Sequence, residues 1–122
     1  MQIEKDIEIQ ESEIPEPLKV VIFRVMQESL TNAAKHAKAD TLTVRLAKNG
    51  DRIELAVSDN GVGFELARAA GNEAIDRGFG LVSMRERVQL SGGRFAIESC
   101  LGQGTNICAQ WPMTNLNRQE DH

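Results

Sequence analysis

From Leu18 to about Lys38, apolar residues recur at positions 18, 21, 22, 25, 26, 30, 33 and 37, the spacing of one helix face. A helix is predicted there. Glu13-Ile14-Pro15-Glu16-Pro17 marks its entry, because proline is tolerated only in a first turn. Before it, Ile3, Ile7 and Ile9 stand among acidic and polar residues and predict an exposed opening strand, although Asp6 and Glu8 are poor strand formers. After it, Leu42, Val44 and Leu46 alternate inward along Thr41 to Leu46. The cluster Asn49-Gly50-Asp51 suits a hairpin turn, and Ile53 to Val57 alternates again.

Residues 65–77 are rich in Ala, Arg and Glu, have no obvious core face, and read as a mobile loop or lid. Phe79 to Leu90 carries Leu81, Val82, Met84, Val88 and Leu90 and predicts a second helix, capped by Ser91-Gly92-Gly93. Arg94 to Cys100 and Thr105 to Trp111 alternate as two strands joined by Leu101-Gly102-Gln103-Gly104, and Pro112 ends the last. This order of elements predicts an α+β fold. Its form is a two-layer α/β sandwich, a mixed, mostly antiparallel sheet with helices on one face. One domain, residues 1–113, is expected, followed by a polar tail, residues 114–122, that frays.

Length and charge narrow the possibilities. A chain of 122 residues can bury a real core without disulfide or metal staples. The net charge of −4 is concentrated at the start: residues 1–17 hold six acidic residues and one lysine, and the remainder is nearly neutral. Without a basic stripe, nucleic acid is not an expected partner. The longest apolar run, Val20 to Phe23, is too short to cross a bilayer, and no signal peptide opens the chain. Membrane contact by this domain is not expected. Cys100 and Cys108 lack metal-ligand spacing and read as half-buried reduced thiols of a cytosolic protein.

The candidate chemistry lies in four short segments within about eighty residues. On the first helix Arg24, Glu28, Asn32 and Lys35 share one face, opposite the apolar stripe. Asparagine is a poor interior helix residue. Its amide oxygen there suits Mg²⁺, which takes oxygen ligands; Lys35 could then offset phosphate charge, and Glu28 could orient or deprotonate a nucleophile. The same stripe also fits an ordinary solvated face. Asp59-Asn60-Gly61-Val62-Gly63 follows a strand: its carboxylate could accept from an exocyclic amine, and its glycines allow backbone to approach a planar base. It fits a plain turn equally well. Gly78-Phe79-Gly80-Leu81 opens a helix, where exposed N–H groups favour an anion, though glycines also open helices for packing reasons. Gly102-Gln103-Gly104-Thr105, by itself, fits a hairpin turn. His36 is either a phosphate or nucleotide contact or a solvated side chain. No GxxxxGK[ST] or GxGxxG occurs.

As an ordered set, QESLTNAAKHA, DNGVGF, GFGLVSMRERV with SGG, and GQGT resemble the asparagine and glycine boxes of the histidine-kinase ATP-binding domain. This is the Bergerat fold, shared with DNA gyrase, mismatch-repair ATPases and the large heat-shock chaperones. The phrasing is closest to the nitrate-sensor-like and desaturase-regulator-like branch of two-component sensor kinases. The resemblance covers about residues 1–113. It implies that Asn32 is the magnesium ligand and Glu28 the acidic, catalytic position, with Lys35 and His36 contacting phosphate or ribose. By the same resemblance Asp59 reads the adenine amino group with Gly61, Val62 and Gly63 behind it. Gly78, Phe79, Gly80 and Leu81 close the phosphate side, and Thr105 works near the adenine partly through water.

The implied function is to bind Mg–ATP and donate its γ-phosphate to a histidine on a separate dimerisation domain, from which a response regulator is charged. The phenylalanine box is missing between residues 64 and 78, as is usual in this branch. The dimerisation helices and their phosphoacceptor histidine are absent from this sequence, so an excised, cytoplasmic and monomeric catalytic domain is expected. Two alternatives stand beside it: a nucleotide-binding or degenerate interaction module without phosphotransfer, and a serine kinase of the anti-sigma-factor type on the same fold.

Overall fold

The computed structural model describes residues 2–35, 39–61, 81–99 and 102–113. Within them run β1 (Gln2–Glu8), a 3₁₀ turn (Glu11–Glu13), α1 (Glu16–Lys35), β2 (Thr41–Asn49), β3 (Arg52–Asp59), α2 (Leu81–Leu90), β4 (Arg94–Ser99) and β5 (Thr105–Pro112). The strands form one sheet in the order β1-β2-β3-β5-β4. Only β1 and β2 pair in parallel; the other neighbours are antiparallel. Parallel pairing needs a long crossover, and α1 supplies it. The expected mixed, mostly antiparallel sheet is what the chain builds, with α1 packed on β2 and β3 and against α2.

Alternation decides which side of the sheet meets the helices. Leu42, Val44 and Leu46 of β2, Ile53, Leu55 and Val57 of β3, and Ile107, Ala109 and Trp111 of β5 are all buried. Leu18, Ile22, Val25 and Ala33 of α1 and Leu81, Met84 and Val88 of α2 cover them. Each valine, leucine, isoleucine or methionine among them contributes roughly 1.5–3 kcal/mol on full burial. Ser29 interrupts the apolar stripe of α1, yet is buried because its Oγ donates to the Val25 carbonyl at 2.7 Å. Ile9 and Ile14 flank the 3₁₀ turn and seat the β1–α1 link in the core. There the Gln10 N–H donates to Glu13 Oε2 at 3.1 Å and holds the Glu13 carboxyl below its usual pKa.

The sheet's other face is open. Arg45 pairs there with Asp6 at 3.8 Å and with Glu8 at 3.4 Å. Cys108 lies on that face between Ala56 and Ala96 and is exposed, which corrects the expectation of a half-buried thiol: its register puts it opposite the core. Partial desolvation, with Glu54 and Glu98 near, still pushes its pKa up. Cys100, the 65–77 segment and the 114–122 tail lie outside the described residues. Among the described residues no helix is long and apolar enough to cross a membrane.

One boundary differs from the sequence reading. β2 and β3 run on to Asn49 and back from Arg52, so the hairpin closes tightly on Gly50, whose φ is +64°. The helix expected to about Lys38 is present as far as Lys35, and residues 36–38 lie outside the described residues.

Candidate functional site

The three core rows of the sheet continue into a fourth that keeps the inward direction but changes chemistry. Leu42 pairs with Asp59, Asp59 with Thr105, and Thr105 with Ser99. Directly paired residues share a face, and Val57, Ile107 and Ile97 form the neighbouring row, each two residues along its strand. Asp59, Thr105 and Ser99 therefore stand on the helix-facing side, at the end of the sheet where apolar packing stops. Thr105 and Ser99 are buried, and Asp59 is half-buried.

Local hydrogen bonds fix this row. Asp59 Oδ1 accepts from the Gly61 N–H at 2.9 Å, so the turn of the DNG segment orients its own carboxylate. Ser99 Oγ donates to the Gly104 carbonyl at 3.2 Å and lies 2.8 Å from Thr105 Oγ1. A hydroxyl has one proton, so with Ser99 donating to Gly104 it is Thr105 that donates to Ser99, leaving Thr105 lone pairs to accept elsewhere. Gly104 has φ +80°, and a Cβ there would run into the Asp59 carbonyl oxygen. Glycine at this position lets β5 begin hard against the end of β3.

The first helix contributes from the adjoining layer. Arg24 and Glu28 are exposed, but Asn32 is half-buried and its Oδ1 is shielded from solvent. This corrects the picture of a stripe opposite the apolar face. Each step of four residues advances about 40° around the helix, so a row exposed at Arg24 has swung to the edge of the core by Asn32. Lys35 is the last described residue of α1, with its side chain outside the described set. His36, Val62, Gly63, Gly78, Phe79 and Gly80 also lie outside the described residues. Gly61 is buried beside Asp59, and Leu81 opens α2 with its side chain in the core.

The donor set fits a magnesium ion. Asn32 offers a neutral amide oxygen at the border of the core. Among the described residues no three His, Cys, Asp or Glu side chains gather into an all-protein cage. A hard ion that keeps waters and substrate oxygens is bound through few protein ligands, and Asn32 is of that kind.

Sequence reasoning left out Ser99 and Asn60. Ser99 had a signal: alternation from Phe95 and Ile97 puts it inward, and a polar residue at an inward strand position needs a partner. Asn60 Oδ1 accepts from the backbone N–H groups of Asp40 and Thr41, each at 2.9 Å. Sequence spacing gives no sign of that contact, which joins positions nineteen and twenty residues apart.

A family model described as "Histidine kinase-, DNA gyrase B-, and HSP90-like ATPase" matches residues 19–115. The signal transduction histidine-protein kinase/phosphatase DegS of Bacillus subtilis is 36% identical over 107 residues, which is 88% of this chain and 27% of that protein. The oxygen sensor histidine kinase NreB of Staphylococcus carnosus is 38% identical over 98 residues, 80% of this chain and 27% of that protein. The chain thus spans about a quarter of the length of these curated relatives. The histidine kinase domain of a blue-light activated histidine kinase from Erythrobacter litoralis EL346 superposes with a TM-score of 0.74 at 22% identity. That match covers 96% of this chain and 54% of the other, and shows that the fold is shared. The family is one of ATP-binding domains, and this chain belongs to it, on the branch of the sensor histidine kinases.

Proposed function

We propose that this chain binds Mg–ATP between the Asn32 flank of α1 and the Asp59–Thr105 end of the sheet. We further propose that it donates the γ-phosphate to a histidine on a separate helical domain of a cytoplasmic sensor-kinase assembly. The observation that carries the reading is the polar row on the core side of the sheet. Asp59, Thr105 and Ser99 stand where burial would otherwise demand apolar residues, and a buried polar group costs free energy unless partnered.

Each residue then has a task its geometry suits. Asp59, with one oxygen held by Gly61, turns the other to the exocyclic amine of adenine. Thr105, donating to Ser99, accepts from the base or from a water beside it. Such a pair of acceptors meets the 6-amino group of adenine and rejects the 6-oxo group of guanine. Gly61 and Gly104 let backbone come close to the base plane. Asn32 supplies the oxygen for Mg²⁺, which would offset charge on the transferring phosphoryl group. Glu28, exposed one turn earlier, is placed to orient the incoming imidazole or take its proton. Lys35 and His36, with Gly78, Phe79, Gly80 and the start of α2 at Leu81, would surround the phosphates; Val62 and Gly63 would continue the base wall. The response regulator is an indirect partner, charged from the phosphohistidine.

Calorimetric titration with Mg–ADP and Mg–AMPPNP, with GTP as control, tests the reading. Saturable binding that prefers adenine and strengthens with magnesium is expected. An absence of heat and of thermal stabilisation at millimolar nucleotide would overturn it, because a ligand that prefers the native state must stabilise that state.

A further inference from the structure

Asn60 follows Asp59 directly in the chain, and its side chain is bonded to another segment. Its Oδ1 accepts from two successive backbone amides, Asp40 and Thr41, both at 2.9 Å. Both partners are donors, which fixes the side-chain atom as the oxygen. Its own N–H donates to the Thr41 carbonyl at 3.3 Å. Three hydrogen bonds thus fasten one residue of the Asp59 turn to Asp40 and to Thr41, the first residue of β2.

The residue just before them, Ala39, is anchored to α1. The Ala39 N–H donates to the Ala33 carbonyl at 3.1 Å. Ala33 is fully buried and follows Asn32 directly. A short path therefore runs from Asn32 and Ala33, through Ala39, Asp40 and Thr41, to Asn60 and Asp59. It crosses from the helix layer to the sheet layer, and in the reading above it crosses from the metal side of the pocket to the base side.

We propose that Asn60 is a positioning residue: it sets the placement of the Asn32 end of α1 relative to the Asp59 turn, so that one nucleotide can engage both. The proposal rests on the nucleotide reading above. Alanine at this position removes the acceptor and leaves two amide donors to water. Aspartate keeps an oxygen at the same reach from the backbone and can accept from both amides.

The test has two readouts on the whole chain. In the first, amide hydrogen exchange of the ligand-free protein is followed residue by residue. The Asp40 and Thr41 amides are expected to exchange about tenfold faster in Asn60→Ala and at the wild-type rate in Asn60→Asp. In the second, ADP is titrated with and without magnesium. Asn60→Ala is expected to weaken Mg–ADP binding about tenfold and to shrink the enhancement given by magnesium, and Asn60→Asp to restore both. A merely structural clasp would weaken ADP equally with and without the metal.

Unchanged Mg–ADP affinity in Asn60→Ala, with Asp40 and Thr41 exchanging faster, would overturn the positioning role while leaving the nucleotide reading intact. An equal loss with and without magnesium would do the same. Absence of binding in the wild-type protein would overturn the nucleotide reading and this proposal with it. If Asn60→Ala does not fold, Asn60→Gln, which moves the oxygen by one methylene, takes its place with the same expectations.

Discussion

The helix-facing side of the sheet has two ends, built from the same strands with the same alternation, and they do opposite things. At one end Ile53 pairs with Trp111, both fully buried, beneath the turns at Gly50 and Gly92. At the other, Asp59 pairs with Thr105 and Thr105 with Ser99. Direction is conserved along each strand, while chemistry is not. A core row can be given to function without disturbing the fold when its polar groups satisfy one another. Here the Ser99–Thr105–Gly104 bonds and the Asp59–Gly61 bond do so.

The sharpest way to break this comparison is at the apolar end. Trp111 is fully buried, its Nε1 donates to Ser91 Oγ at 2.8 Å, and Gly93 is so close that a Cβ there would meet the indole. Trp111→Ala is expected to cost about 3–5 kcal/mol of stability. That is a large share of the ~5–15 kcal/mol a domain of this size commands. Denaturant unfolding measures it. Nucleotide affinity per folded molecule should be unchanged, because the ring lies at the far end of β5 from Thr105. A specific loss of affinity among the folded molecules would show that the two ends are not independent.

The apolar end was legible in the sequence, and the polar end only partly so. Alternation at Leu42, Val44, Leu46 and at Ile53, Leu55, Val57 identified the inward face, because a period of two permits just one burial solution. Glycine and proline at 15, 17, 50, 92 and 112 marked the breaks. Asp59 and Thr105 were named separately, as parts of two motifs. That they stand side by side is a matter of β3–β5 register, and spacing along one chain does not specify which strands become neighbours. Asn60 was missed for the same reason, since its partners come from another segment, whereas alternation along β4 could have found Ser99. Asn32 was named as a candidate but given the wrong surroundings: a helical row read as flat drifts around the axis and reaches the core edge.

At the polar end, Asp59→Asn tests whether the row reads a base. The change keeps size and the possibility of accepting from Gly61, but removes the charge and places an amide donor among the acceptors. Mg–ADP affinity is expected to fall roughly 10- to 100-fold, the ~1.5–3 kcal/mol of a hydrogen bond to a charged group. The thermal midpoint without ligand should move little. Calorimetric titration beside a thermal scan separates the two quantities, and a stability loss that matched the affinity loss would make Asp59 structural.

The smallest effects come from the glycines that close the turns, and they sharpen the contrast best because the same substitution can be made at each end. Gly50 and Gly104 both have positive φ, at +64° and +80°. Alanine in such a conformation costs about 1–2 kcal/mol by itself. At Gly50 nothing lies within reach of a new Cβ, so Gly50→Ala should lose that amount in denaturant unfolding and leave nucleotide binding alone. At Gly104 the Cβ would run into the Asp59 carbonyl, and backbone cannot swing aside as a side chain can. Gly104→Ala must therefore part β5 from the end of β3, shifting Thr105 and Asp59 together. It is expected to lose more stability than Gly50→Ala, and to weaken Mg–ADP as well. If both variants lost the same stability and both kept their affinity, the close approach of Gly104 to Asp59 would have no part in holding the polar row. The difference between the two ends would then rest on side chains alone.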